Sequence, residues 1–107
     1  MNFNEYQKLA KTTAIYDKKH QILYPALGLA GEAGEVANKV KKIIRDGYEN
    51  NKDYRADIGA EIGDVLWYCA VLASDIGLEL SDIAVNNTVK LKDRMNRGVI
   101  GGNGDKR

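Results

Sequence analysis

Four carboxylates in two short pairs carry the chemistry that this sequence can support. Glu32 and Glu35 are spaced i, i+3 in Gly31-Glu32-Ala33-Gly34-Glu35, and Glu61 and Asp64 repeat that spacing in Glu61-Ile62-Gly63-Asp64. On a helix, residues three apart leave the same side, with Cβ atoms about 5–6 Å apart. If the two helices pack antiparallel, the pairs face each other across a bundle. Carboxylates sharing one pocket repel and hold their protons more tightly. One or two divalent cations cancel that charge, and an all-oxygen donor set favours Mg²⁺ or Mn²⁺ over zinc or copper.

Plainer readings stand beside this one. Glu32 and Glu35 fit a solvated helix face, with Lys39 at i+4 from Glu35 in a pair worth about 0.3–0.5 kcal/mol. Glu61 and Asp64 border the most apolar helix of the chain, where a buried ion pair with a cation from another helix is the competing account. A di-iron centre needs Glu-x-x-His motifs, and the one histidine, His20, lies outside both acidic helices. No Ser, Cys or His constellation suggests a covalent intermediate.

The elements that must position these groups are helical. Asn4 resembles an N-cap with Gln7 three residues on, and Tyr6, Leu9, Ala10, Thr13 and Tyr16 recur at helical spacing. These predict a first helix over about 4–17. A second begins near Pro25, a residue suited to a first turn, and ends at Asp46, with Gly47 as C′ residue. Leu29, Ala33, Val36, Ala37, Val40, Ile43 and Ile44 form its apolar arc, and Glu32, Glu35, Lys39 and Lys42 border it. Gly28, Gly31 and Gly34 make a third stripe, which predicts close approach of another backbone or a ligand. A polar loop over 47–56 leads to a third helix at about 56–76, closed by Gly77. That helix is apolar on several sides, and in so small a chain this predicts a subunit interface, with Trp67 in it. Ser81 is the expected N-cap of a fourth helix over about 82–96. Residues 98–107 are too rich in glycine for regular structure.

The expected fold is therefore all-α, a four-helix bundle completed by oligomerisation, with 1–107 as a single domain and 98–107 as a glycine-rich tail. A length of 107 residues bounds the chain to one domain. Sixteen basic against fifteen acidic residues, a net charge of +1, argue against a nucleic-acid partner bound through a strong basic field. No apolar run is long enough to span a bilayer, and the N-terminus lacks the order of a signal peptide. The single cysteine, Cys69, forbids an intramolecular disulfide and reads as a small buried hydrophobe. A reducing, cytoplasmic location is expected.

On the fourth helix Asn87, Lys90 and Arg94 form a polar stripe that suits phosphate, with Arg94 able to make a forked contact. A solvated face favoured by the helix dipole is the alternative. Tyr68, one turn beyond Asp64, fits either a base or sugar contact or the core; His20 and Tyr24 are further candidates for the base. The 31–35 and 61–64 motifs are separated by 25 residues between Glu35 and Glu61. With Asn87-x-x-Lys90-Leu91-x-x-Arg94 and the ending Gly-Gly-Asn-Gly-Asp-Lys-Arg, the chain resembles the MazG-like nucleoside triphosphate pyrophosphohydrolases of the all-α NTP pyrophosphatase superfamily. Gly31 stands where the fuller family pattern has an acid. The resemblance implies Mg²⁺-dependent hydrolysis of a (deoxy)nucleoside triphosphate to monophosphate and pyrophosphate, in nucleotide-pool control, by a homo-oligomer (dimer or tetramer). It implies Glu32, Glu35, Glu61 and Asp64 as metal ligands. Glu35 is also the chosen water-orienting base, and Asn87, Lys90, Arg94, Lys39 and Tyr68 form the substrate side. A catalytically inert helical association or regulatory module is the rival.

Overall fold

The computed structural model describes residues 1–107 as four α-helices: α1 (Phe3–Thr12), α2 (Leu23–Asp46), α3 (Tyr54–Asp75) and α4 (Leu80–Asn96). Short 3-10 turns, Lys18–His20 and Tyr48–Asn50, precede α2 and α3. The all-α expectation is met. No helix is both long and apolar enough to cross a membrane.

Several ends differ from expectation for local reasons. Asn2, not Asn4, caps α1: its side chain accepts from the backbone N–H of Glu5 at 2.8 Å. α1 stops at Thr12 rather than 17, because Thr12 and Thr13 turn their hydroxyls back onto the carbonyls of Leu9 and Ala10. Gln7 is no capping-box residue. It is buried, donates to Leu78 O (2.9 Å) and Ser74 Oγ (3.0 Å), and accepts from the backbone N–H of Leu80 (2.8 Å). Its side chain thereby caps the start of α4, so α4 begins at Leu80 with no contribution from Ser81, and Glu79 at the N-cap makes no side-chain capping bond, its carboxylate accepting instead from Asn4 Nδ2 at 3.3 Å.

α2 and α3 form the main antiparallel pair. Gly28 meets Tyr68, Glu32 meets Glu61 and Asp64, and Lys39 and Ile43 share a cavity with Tyr54, Asp57 and Ile58. As position rises on α2 it falls on α3. The entry to α2 is strained: Ile22 takes φ +69°, an outlier for a β-branched residue. Asp75 on α3 holds that turn, accepting from the Ile22 N–H (2.9 Å) and the Tyr16 hydroxyl (2.8 Å). α1 lies on the C-terminal half of α3. Ala10, Ala70, Val71 and Leu80 form the buried centre, with Tyr6, Leu66, Trp67 and Cys69 packed around it.

That core is small. Nine of 107 residues are buried, and Leu27, Ile44, Val89 and Met95 are all more than 60% exposed. The accessible surface is 7822 Å², against about 5,900 Å² for a compact monomer of this mass. The radius of gyration is 16.7 Å, against about 13 Å for a compact domain of this length. The apolar arc of α2 is split accordingly. Ile43 is buried and Leu29 and Val36 are half-buried, while Ala33, Ala37, Val40 and Ile44 face solvent.

Candidate metal centre

The antiparallel register of α2 and α3 brings three of the four carboxylates together. Oxygens of Glu32, Glu61 and Asp64 lie within 4.8 Å of one another. Partial burial, then a hydrogen bond with Glu61 and the charges of Asp64, Glu61 and Glu35, raise the pKa of Glu32 above the ordinary glutamate value. No lysine or arginine forms an ion pair with the three; the ion pairs of the chain lie elsewhere. Three anionic oxygens at such range relieve their repulsion by sharing a cation, so the donor set and its charge fit a hard, oxygen-preferring divalent ion.

Glu35 stands outside this group. It is exposed one turn further along α2, in an open groove with Ala30, Gly31, Gly34, Ala37, Asn38 and Lys41. It makes no ion pair with Lys39, which with Lys42 lines a separate cavity beside Tyr54 and Asp57. The distance between these two sites along α2 is set by the helix: Lys39 lies two turns beyond Glu32.

The close approach expected along the glycine stripe is found at Gly28 alone. At Gly28 a Cβ would collide with the ring of Tyr68, so glycine there lets the aromatic lie directly on the α2 backbone. At Gly31 and Gly34 nothing of this chain comes within 4 Å of that position. Tyr68 itself is half-buried. Trp67 meets it edge-on at 4.9 Å, and Tyr24, stacked on Tyr16 at 4.6 Å, tilts against it at 6.4 Å. Burial first, then Tyr24 and the charges of Glu32 and Asp64, push the Tyr68 phenol up. Trp67, expected at an interface, is half-buried against α1 and donates to Thr13 Oγ1 at 2.8 Å. His20 lies exposed in its 3-10 turn and is not one of the clustered metal-type ligands.

On α4, Asn87 is exposed, Lys90 half-buried and Arg94 buried. Lys90 Nζ lies 2.7 Å from Asp105 Oδ1. Arg94 donates to the backbone carbonyl of Asp105, and its Nη2 is 3.3 Å from Asp105 Oδ1. The α4 cations are therefore held by residues 98–107 rather than by the acidic group. Asp105 stands in the Gly-Asp-Lys-Arg ending, whose sequence alone carries no sign of its contact with α4.

Fold and site together define an all-α protein with an acidic cluster of divalent-metal type between its two longest helices. The family model for the MazG nucleotide pyrophosphohydrolase domain matches residues 19–99, and the chain belongs to that family. It is similar to the "Gene 37 protein" of Mycobacterium phage L5, at 45% identity over an alignment of 117 residues covering all of both chains. No solved structure matches it.

Proposed function

We propose that the chain is a Mg²⁺-dependent nucleoside triphosphate pyrophosphohydrolase, releasing monophosphate and pyrophosphate. The observation that carries this reading is the convergence of Glu32, Glu61 and Asp64 in a member of this family. These three side chains would hold the ion, Mg²⁺ first and Mn²⁺ second by donor type. A bound divalent ion would neutralise phosphate charge and make water more acidic. Glu35, one turn from Glu32 and free of the three-carboxylate group, orients the attacking water and accepts its proton. Asn87 and Lys90 supply the phosphate side from α4, and Tyr68 packs against the sugar or base. Lys39, two turns from Glu32, is left to a distant phosphate.

We further propose that the protein works as a homo-oligomer, dimer or tetramer. The surface excess of about 1,900 Å² per chain over a compact monomer exceeds the roughly 800 Å² that each partner gives to a standard interface and suits the larger, obligate class, and the exposed surface is rich in leucine, isoleucine and valine. A reducing cytoplasm suits the one thiol, Cys69, whose pKa burial pushes up. Incubation with a panel of NTPs and dNTPs plus Mg²⁺ tests the assignment. The expected products are monophosphate and pyrophosphate, and absence of turnover on every substrate overturns it in favour of an inert helical module.

A further inference from the structure

The segment that the proposed chemistry leaves unused is 98–107, and it is not a loose tail. Gly98 takes φ +72°, which lets the Val99 N–H reach back to Arg94 O (2.9 Å) and turns the chain off the end of α4. Arg107 then ties the loop from inside, donating to the carbonyls of Val99 (3.0 Å), Ile100 (3.1 Å) and Gly104. Arg97 closes the ring by donating to the Arg107 carbonyl at 2.6 Å. A loop nailed by two arginines to its own carbonyls is a scaffold rather than a hinged flap.

What this scaffold presents to α4 is Asp105. Its carboxylate bridges Lys90 and Arg94, and the two cations differ in what else they can do. The Arg94 side chain is 6% exposed, and all its hydrogen bonds go to Asp105. The Lys90 side chain is 40% exposed, and an ammonium spends only one of three protons on Asp105. We infer that Asp105 is a positioning residue: buried Arg94 fixes Asp105, and Asp105 fixes the Lys90 ammonium for an anionic phosphate. This moves Arg94 from phosphate contact to support. The anion held at Lys90 is a polyphosphate, and the inference rests on the proposed phosphate role of α4.

Electrostatics alone and positioning predict opposite outcomes for Asp105. Removing a negative charge beside Lys90 raises the local positive potential, which by itself tightens anion binding. Loss of positioning weakens it. The probe is inorganic tripolyphosphate, titrated calorimetrically into the full chain with Mg²⁺ present. Asp105→Ala is expected to weaken binding about tenfold, the worth of one hydrogen bond to a charged group. Asp105→Asn, which keeps an acceptor oxygen, is expected to lose less. For NTP turnover the expected change is a raised KM with kcat within about threefold, a split that global loss of folded protein does not give. Unchanged or tighter tripolyphosphate binding in Asp105→Ala overturns the positioning role. Lys90→Met separates the two levels. If it binds tripolyphosphate as the wild type does, the phosphate role of α4 falls and this inference with it. If Lys90→Met weakens binding and Asp105→Ala does not, only the inference falls.

Discussion

The two charged regions of this molecule handle charge in opposite ways. Between α2 and α3, Glu32, Glu61 and Asp64 stand within 4.8 Å of one another with no cation of the chain in an ion pair with them. On α4, Lys90 and Arg94 are bridged by an acid that their own chain brings back to them. The first region gains from a ligand because it repels itself. The second is already satisfied internally, so a ligand there adds to an organised cation instead of relieving a strained cluster. The pKa directions say the same: Glu32 holds its proton more tightly than usual, and Asp105, hydrogen-bonded to Lys90 and Arg94, less tightly.

The largest effect that tests this contrast is on turnover. Loss of a group that merely orients a metal ligand costs about 10–100-fold, so replacing a ligand is expected to cost more than about 100-fold. Glu61→Gln removes one negative charge from the cluster while keeping shape, and should abolish turnover at unchanged far-ultraviolet circular dichroism. Full activity in that variant would remove Glu61 from the centre. Metal binding should also show in stability. An ion at a hundredfold excess over its Kd stabilises the folded state by about 2.7 kcal/mol. Mg²⁺ is therefore expected to raise the Tm of the wild type and not of Glu61→Gln, and equal shifts in both would mean that the cation binds elsewhere.

The basic region predicts a smaller, graded result. Arg94→Ala removes a buried side chain with its stem packing and its bonds to Asp105, and is expected to cost about 1–3 kcal/mol in urea denaturation. Lys90→Ala opens an exposed pair and should cost at most about 1 kcal/mol. Equal costs would show that the two cations are equivalent, and the division between support and contact would lose its basis.

How far these regions could be foreseen depends on how local the signal was. The four helices follow from 3.6-residue periodicity, and the pairing of Glu32 with Glu61 and Asp64 needs only helical spacing plus an antiparallel register. Gln7 fits a local capping motif, but its partners, Ser74, Leu78 and Leu80, lie some seventy residues away, and tertiary packing overrides the local signal. Asp105 is hidden for the same reason, since a glycine-rich ending carries no period from which to place its acid over α4. Gly28 and Gly31 look alike in sequence, yet one meets an aromatic ring and the other open space. Only the position of Tyr68 on α3 separates them. The helical periodicity of α2 likewise defines its apolar arc but not which part stays uncovered in a single chain.

The smallest effect is on the pH dependence of stability, and its sign differs between the regions. A group whose pKa rises on folding lends stability below its unfolded value, which is lost as pH climbs through the folded one. Glu32 is of this kind, so in EDTA its contribution is present below 4.5 and lost above it. Asp105 is the reverse: its pKa is lowered, so its contribution is present above 3.8 and lost as pH falls below it. Melting curves in EDTA across the acid range should therefore show Glu32→Gln gaining on the wild type as pH rises past 4.5. Asp105→Asn should lose against the wild type over the range above 3.8, and the difference should close in stronger acid. With Mg²⁺ present the Glu32→Gln advantage should vanish or invert, because the ion then supplies the charge that the three carboxylates lack among their protein neighbours. The Asp105→Asn difference should persist, since Lys90 and Arg94 already provide its counter-charge. If Mg²⁺ left the Glu32→Gln difference untouched, the cluster would be an acidic patch whose repulsion no cation relieves.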